Sequence, residues 1–176
     1  ILNIKNTNAV VNIDLCQTDY TAKTYTKSGN DLVVGYTGYL YNTQKDTYEN
    51  GKKATLTIKN YFKENYDNIS IRDQYGSSFS DLSTNIASVG ITVLGNSKKA
   101  NNLVGTDYKE NFIGGAKADK ISTGAGNDTI TTGKGKDTIT INGTGTKTVN
   151  VSTGDGALTI EGVDKSTSTN LKLDLV

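Results

Sequence analysis

Large apolar residues recur nine positions apart at Leu94, Leu103, Phe112, Ile121, Ile130 and Ile139, and the spacing then stretches to ten at Val149 and eleven at Ile160. This period constrains the fold more than any other feature of the chain. It is not a helical spacing, and it is too long for one hairpin arm. It fits a solenoid in which each repeat is a turn plus a short strand, with one main inward residue. Two repeats then close one coil, and each inward side chain stacks on the one two repeats away. Burying each is worth roughly 1.5–3 kcal/mol, so no coil stands alone and the stack must cooperate.

The residues between the apolar positions are glycine and aspartate. The clearest copies run from Gly114-Gly115-Ala116-Lys117-Ala118-Asp119-Lys120-Ile121-Ser122 through Thr123-Gly124-Ala125-Gly126-Asn127-Asp128-Thr129-Ile130-Thr131. A third follows as Thr132-Gly133-Lys134-Gly135-Lys136-Asp137-Thr138-Ile139-Thr140. A turn this tight needs glycine where φ is positive. With no side chains in the way, its carbonyls face the neighbouring turn and repel the carbonyls there. A hard cation between them cures that, and calcium takes six to eight oxygen ligands of this kind. The Asp points into the gap, and the apolar residue two later points to the core. The alternative is a metal-free β-helix whose Asp side chains cap turns by hydrogen bonding.

These copies resemble the G-G-x-G-x-D-x-U-x nonapeptide of the repeats-in-toxin (RTX, haemolysin-type) family, where U is a large apolar residue. The resemblance implies a parallel β-roll with calcium between turns two repeats apart on one edge. Asp119 and Asp137, with the turns Gly114-Gly115 and Gly133-Gly135, form the strongest candidate site. On the opposite edge Asp128, with Gly124 and Gly126, pairs with Glu110 before it or Lys147 after it. Glu110 can ligate, although Tyr108 stands where its turn should have glycine. Lys147 cannot, so that gap is expected to be empty. Asn101 stands at an Asp position and offers a neutral oxygen to a site with Asp119, whereas Leu158 offers nothing. Lys117 replaces a turn glycine, and Lys134 and Lys136 flank the best site; nearby ammonium groups weaken cation binding, less so when screened by solvent. The expectation is one to three calcium ions of modest affinity. The full turn chemistry is confined to about 114–140.

Residues 1–80 read as irregularly spaced strands: an alternation at Val10–Leu15, an apolar run at Leu32–Val34 after the turn signal Ser28-Gly29-Asn30-Asp31, and alternations at Ala54–Ile58 and Ile69–Ile71. Asn50-Gly51 signals a hairpin-like turn. Tyr61, Phe62 and Tyr66 are read as core packing under a short helical or looped segment. The whole is therefore expected to be all-β: a strand-rich region at 1–80, a junction at 81–93 with one helical turn, a β-roll or β-helix solenoid at 94–162, and a tail at 163–176. The tail ends in Leu173-Asp174-Leu175-Val176, similar to the ending of some type I secretion substrates; an ordinary last strand is the plainer reading. The segment before the repeats also looks like the strand-rich region found beside such repeats in exoproteins.

Composition excludes several functions. The chain has no His, so His-dependent triads and the commonest zinc and copper ligand are missing. One cysteine, Cys16, cannot form an internal disulfide, and its alternating neighbours place it on the solvent side. A net charge of +1 gives no reason to expect nucleic-acid binding. No apolar stretch is long enough to span a membrane, and the first residues lack the plan of a signal peptide. The chain starts with Ile and is read as a fragment or processed product.

The expected function is a non-catalytic calcium-binding module, secreted or attached to the cell surface, leaving the cell through type I secretion machinery and folding outside on calcium. A surface-layer protein or adhesin is the favoured parent, with self-association or cell-surface polysaccharide as further partners. A toxin or hydrolase parent is the alternative. A polysaccharide-modifying β-helix enzyme is disfavoured because Arg72 is the only arginine and no carboxylate cluster is visible. Ice or crystal binding by the Thr129-Ile130-Thr131 and Thr138-Ile139-Thr140 units is disfavoured because they fall on alternate faces.

Overall fold

The computed structural model describes residues 11–14, 19–42, 44–64, 66, 69–72, 80–151, 156–163 and 169–175. Cys16 lies outside them. The chain divides into two compact units, Ile1–Val89 and Gly90–Val176. No helix among the described residues is long and apolar enough to cross a membrane.

In the first unit β1 (Val11–Asp14) pairs in parallel with β5 (Ile69–Arg72), which pairs antiparallel with β6 (Ser80–Asp81). A meander of β2 (Asp19–Ser28), β3 (Asp31–Asn42) and β4 (Thr47–Ile58) forms the larger sheet. The turn signal at Gly29-Asn30 joins β2 to β3, and Gly29 takes a φ of 62°. Asn50-Gly51 is not a turn. It lies inside β4, where the pairing slips between Thr37–Lys53 and Tyr39–Asn50, so that Gly51 and Lys52 stand opposite Gly38 alone. Glycine there serves a bulge, while the chain reverses at residues 44–46 with Asp46 at a φ of 51°.

Two short helices complete this unit: α1 (Tyr61–Glu64) and α2 (Leu82–Val89). Asp81 caps α2 by accepting the Thr84 N–H at 2.8 Å. The segment read as one helical turn thus makes two. Tyr25, Leu32, Val34, Tyr36, Ile58, Tyr61, Tyr66, Ile69, Ile71, Leu82 and Ile86 are buried. Tyr61 packs edge-on against Phe62, with ring centroids 5.1 Å apart.

The second unit is a parallel solenoid of two sheets. One contains β7 (Ile91–Leu94), β9 (Glu110–Gly115), β11 (Asp128–Gly133), β13 (Gly145–Val151) and β15 (Thr169–Leu175), each paired in parallel with the next. The other contains β8 (Asn102–Thr106), β10 (Lys120–Gly124), β12 (Asp137–Thr140) and β14 (Leu158–Glu161). Successive strands alternate between sheets, as a turn-plus-strand repeat requires. The inward residues stack in register: Phe112 on Ile130 and Ile130 on Val149 in one sheet, Leu103 on Ile121 and Ile121 on Ile139 in the other. Phe112, Ile130, Ile139 and Val149 are fully enclosed, and Ile121 nearly so.

The first coil departs from the sequence reading. Val93, not Leu94, pairs with Phe112 and is buried, while Leu94 pairs with Ile113 and is 57 % exposed. That coil is one residue longer than the strict period. Because successive side chains of a strand face opposite ways, one extra residue moves Leu94 from the core to the surface. Ile130→Ala should therefore cost about 2–5 kcal/mol, and Leu94→Ala should stay within about 0.5 kcal/mol, both read by denaturant unfolding. Equal costs at the two positions would contradict this packing.

Candidate metal centre

Each turn of the roll presses on the turn one coil away. A Cβ placed on Gly133, where φ is 79°, would sit 2.1 Å from the Gly115 carbonyl oxygen. On Gly126, where φ is 96°, it would sit 2.2 Å from the Tyr108 carbonyl oxygen. Glycine is needed at these points both for its backbone conformation and for the closeness of the neighbouring carbonyl. Gly124, Gly135 and Gly114 face neighbouring carbonyls in the same way, those of Thr106, Lys117 and Thr132. Gly115 is less crowded, with the Asn96 carbonyl 3.1 Å from the position of its would-be Cβ.

The acidic residues form two ladders along the two edges. On one edge stand Asn101, Asp119 and Asp137. Asp137 Oδ1 accepts the Asp119 N–H at 2.8 Å, and Asp119 Oδ1 accepts the Asn101 N–H at 2.8 Å. Each carboxylate thus hooks back to the backbone one coil earlier. Asp119 is 1 % exposed, and its Oδ2 is buried with no hydrogen-bond partner. A Cβ on Gly114 would meet this Oδ2 at 2.7 Å and the Thr132 carbonyl oxygen at 2.3 Å. The partnerless carboxylate oxygen and the Thr132 carbonyl thus border one small space. A buried carboxylate oxygen left this way is costly, and a hard cation satisfies it. The residues present fit calcium here.

Asn101 does not play the part read from the sequence. Its side-chain oxygen accepts the Asn96 N–H at 2.7 Å, and its amide nitrogen donates to Asp119 Oδ1 at 2.7 Å. It presents a donor to Asp119, because its own oxygen is used to close the 96–101 turn. Lys117, Lys134 and Lys136 are exposed, so solvent screens their charge from the gap.

On the other edge stand Glu110, Asp128 and Lys147, in register with one another. Asp128 Oδ1 accepts the Glu110 N–H at 2.9 Å. Glu110 accepts a hydrogen bond from the Thr106 hydroxyl, and its other carboxylate oxygen is buried without a partner. Burial pushes the Glu110 carboxyl up to about 8, assisted by the charge of Asp128 and opposed by the Thr106 hydroxyl. This orphaned oxygen is a second place that suits a cation. The gap between Asp128 and Lys147 is not empty. The Lys147 ammonium itself lies in it, 2.7 Å from Asp128 Oδ2 and 2.8 Å from the carbonyl oxygens of both Gly124 and Gly126. The sequence does not reveal this, because a lysine offers no ligand to a cation and only the stacking of the coils shows that it takes the cation's place.

Among the described residues no three carboxylates gather in one place. In chelator the fold favours protonated Glu110, whose carboxyl titrates near 8 when folded against 4.5 ordinarily. Its contribution is complete below about pH 4.5 and is lost as pH rises through about 8. The melting temperature in chelator should therefore fall across that interval, and Glu110→Gln should reduce the fall. A wild-type slope unchanged by the substitution would exclude the assignment.

Neither the curated proteins nor the solved structures compared with the chain include a match. Residues 104–139 match the family model of the RTX calcium-binding nonapeptide repeat, in four copies. That stretch covers β9, β10 and β11, nearly all of β12 and the end of β8, together with the turns bearing Glu110, Asp119, Asp128 and Asp137. Through these coils the chain carries RTX repeats, folded as a parallel β-solenoid of a family that binds calcium.

Proposed function

We propose that the chain is a non-catalytic calcium-binding module of a secreted or cell-surface bacterial protein. The observation that carries this reading is the buried, partnerless oxygen of Asp119 beside the Thr132 carbonyl. Calcium would be held there by Asp119 with carbonyls of the turns at 114–119 and 132–137, and with Asp137 where its carboxylate reaches. Glu110 and Asp128 would serve the other edge. The ion supplies positive charge between facing oxygens, and it binds the folded state alone because only the closed coils assemble the oxygens. Binding energy then becomes folding energy.

That linkage suits export of an unfolded chain through type I secretion machinery into a calcium-rich medium. The Thr- and Asn-rich composition favours a surface-layer or adhesin parent over a toxin or hydrolase. Contacts with cell-surface polysaccharide or further copies of the chain fit such a parent. The strand-rich region at 1–80 then precedes the roll in the chain, and the last strand, Thr169–Leu175, belongs to the roll rather than to a separate tail.

A metal-free roll is the second reading. It is favoured by the hooks of Asp119, Asp128 and Asp137, which satisfy backbone N–H groups without any ion. Calcium titration followed by circular dichroism separates the two. At calcium a hundred-fold above Kd the roll should gain about 2.7 kcal/mol. Asp119→Asn keeps the oxygen that caps Asn101 but removes the charge, so it should weaken calcium binding by about ten-fold or more while leaving the melt in chelator at or above wild type. A melting temperature unmoved by calcium and by chelator would leave the metal-free roll standing.

A further inference from the structure

Near its start β13 has a lysine where the paired strand one coil earlier, β11, has an aspartate: Lys147 lies in register with Asp128. Both side chains are wholly buried, at 0 % exposure. A lysine in that environment is kept only if its ammonium is fully met by acceptors. Here it is. Nζ donates to Asp128 Oδ2 at 2.7 Å, to the Gly124 and Gly126 carbonyls at 2.8 Å, and more weakly to the Thr144 carbonyl at 3.2 Å. Three of these oxygens belong to one turn and the fourth to the turn one coil on. The ammonium therefore sits between two stacked turns, facing glycine carbonyls and the repeat's aspartate.

We propose that Lys147 is a built-in replacement for a calcium ion, closing this gap of the roll permanently and without metal. Charge supports it: one ammonium neutralises one carboxylate, so the gap is balanced with no ion added. Reach supports it as well, because Asp128 and Lys147 are nineteen residues apart where the rungs Glu110–Asp128 and Asp119–Asp137 are eighteen, and the longer turn carries Gly143 and Gly145 at positive φ. The four-carbon stem can fold back from the later coil and deliver its head into the gap. Calcium binding is thereby confined to gaps bounded by Asp119 and Glu110, and the coils around 124–147 hold together before calcium arrives. The second consequence stands on the lysine cage alone, and the first rests on the calcium reading above.

The test uses the whole chain with Lys147→Met and Lys147→Asp, melted in chelator and in calcium, with bound calcium counted by isothermal titration. In chelator, Lys147→Met should melt at least about 10 °C below wild type, because it strands a buried carboxylate and its carbonyls. Lys147→Asp restores the repeat's carboxylate; it should also melt low in chelator, recover in calcium, and bind one ion more than wild type. The proposal is overturned if Lys147→Met melts within about 2 °C of wild type in chelator, or if folded Lys147→Asp binds no more calcium than wild type. Should Lys147→Met fail to fold at all, recovery of Lys147→Asp by calcium decides in favour, and lack of recovery against. A wild type that binds no calcium defeats the calcium reading and leaves the chelator comparison to judge Lys147.

Discussion

The closeness of stacked turns, each pressing its glycines against carbonyls of the adjacent coil, is the constraint to which the rest of the roll answers. Parallel stacking of short strands forces each turn directly against the next. The glycines answer the crowding sterically, since a Cβ on Gly133 or Gly126 would collide with the carbonyl of the adjacent coil. The acidic side chains answer it in part electrostatically, by reaching back to N–H groups one coil earlier. That leaves surplus acceptors, which Asp119 and Glu110 show as buried oxygens without donors.

Surplus acceptors need positive charge, and the gaps of the roll find it differently. The Asp119 edge presents oxygens that suit a divalent ion. The Asp128–Lys147 gap holds an ammonium of the chain's own. Both solutions balance charge in a place where an unpaired ion is expensive. They differ in what they make of the surroundings, since calcium ties stability to the medium and the lysine does not. A single roll can thus combine a part that senses calcium with a part that is already closed.

The hydrophobic stack was legible in the sequence because its period is strict. Phe112, Ile121, Ile130 and Ile139 lie inside as their nine-residue spacing demands. Leu94 was misplaced because a single additional residue in the first coil is invisible to a count of apolar positions, yet it reverses which side chain faces inward. The Asn50-Gly51 pair misled for a related reason: the same glycine that suits a turn also suits a bulge, and the pairing of β3 with β4 decided between them. The acidic ladder was legible as a list of residues, but the bonds made by each oxygen were not.

The amino-acid sequence by itself determined that residues 114–140 form turns of glycine and aspartate separated by short strands, because few other residues tolerate those backbone angles and that closeness. It also determined which acidic side chains carry charge toward the gaps. Only the tertiary structure decided what each charge meets. Asn101 turns its amide nitrogen to Asp119, Glu110 loses its water, and Lys147 lies among four oxygens of two different turns. Asn101 and Asp119 stand eighteen residues apart along the chain, and three of the four oxygens around Lys147 lie nineteen to twenty-three residues before it, so the stacking of one coil on another makes them neighbours, and burial between coils gives the contacts their energetic weight.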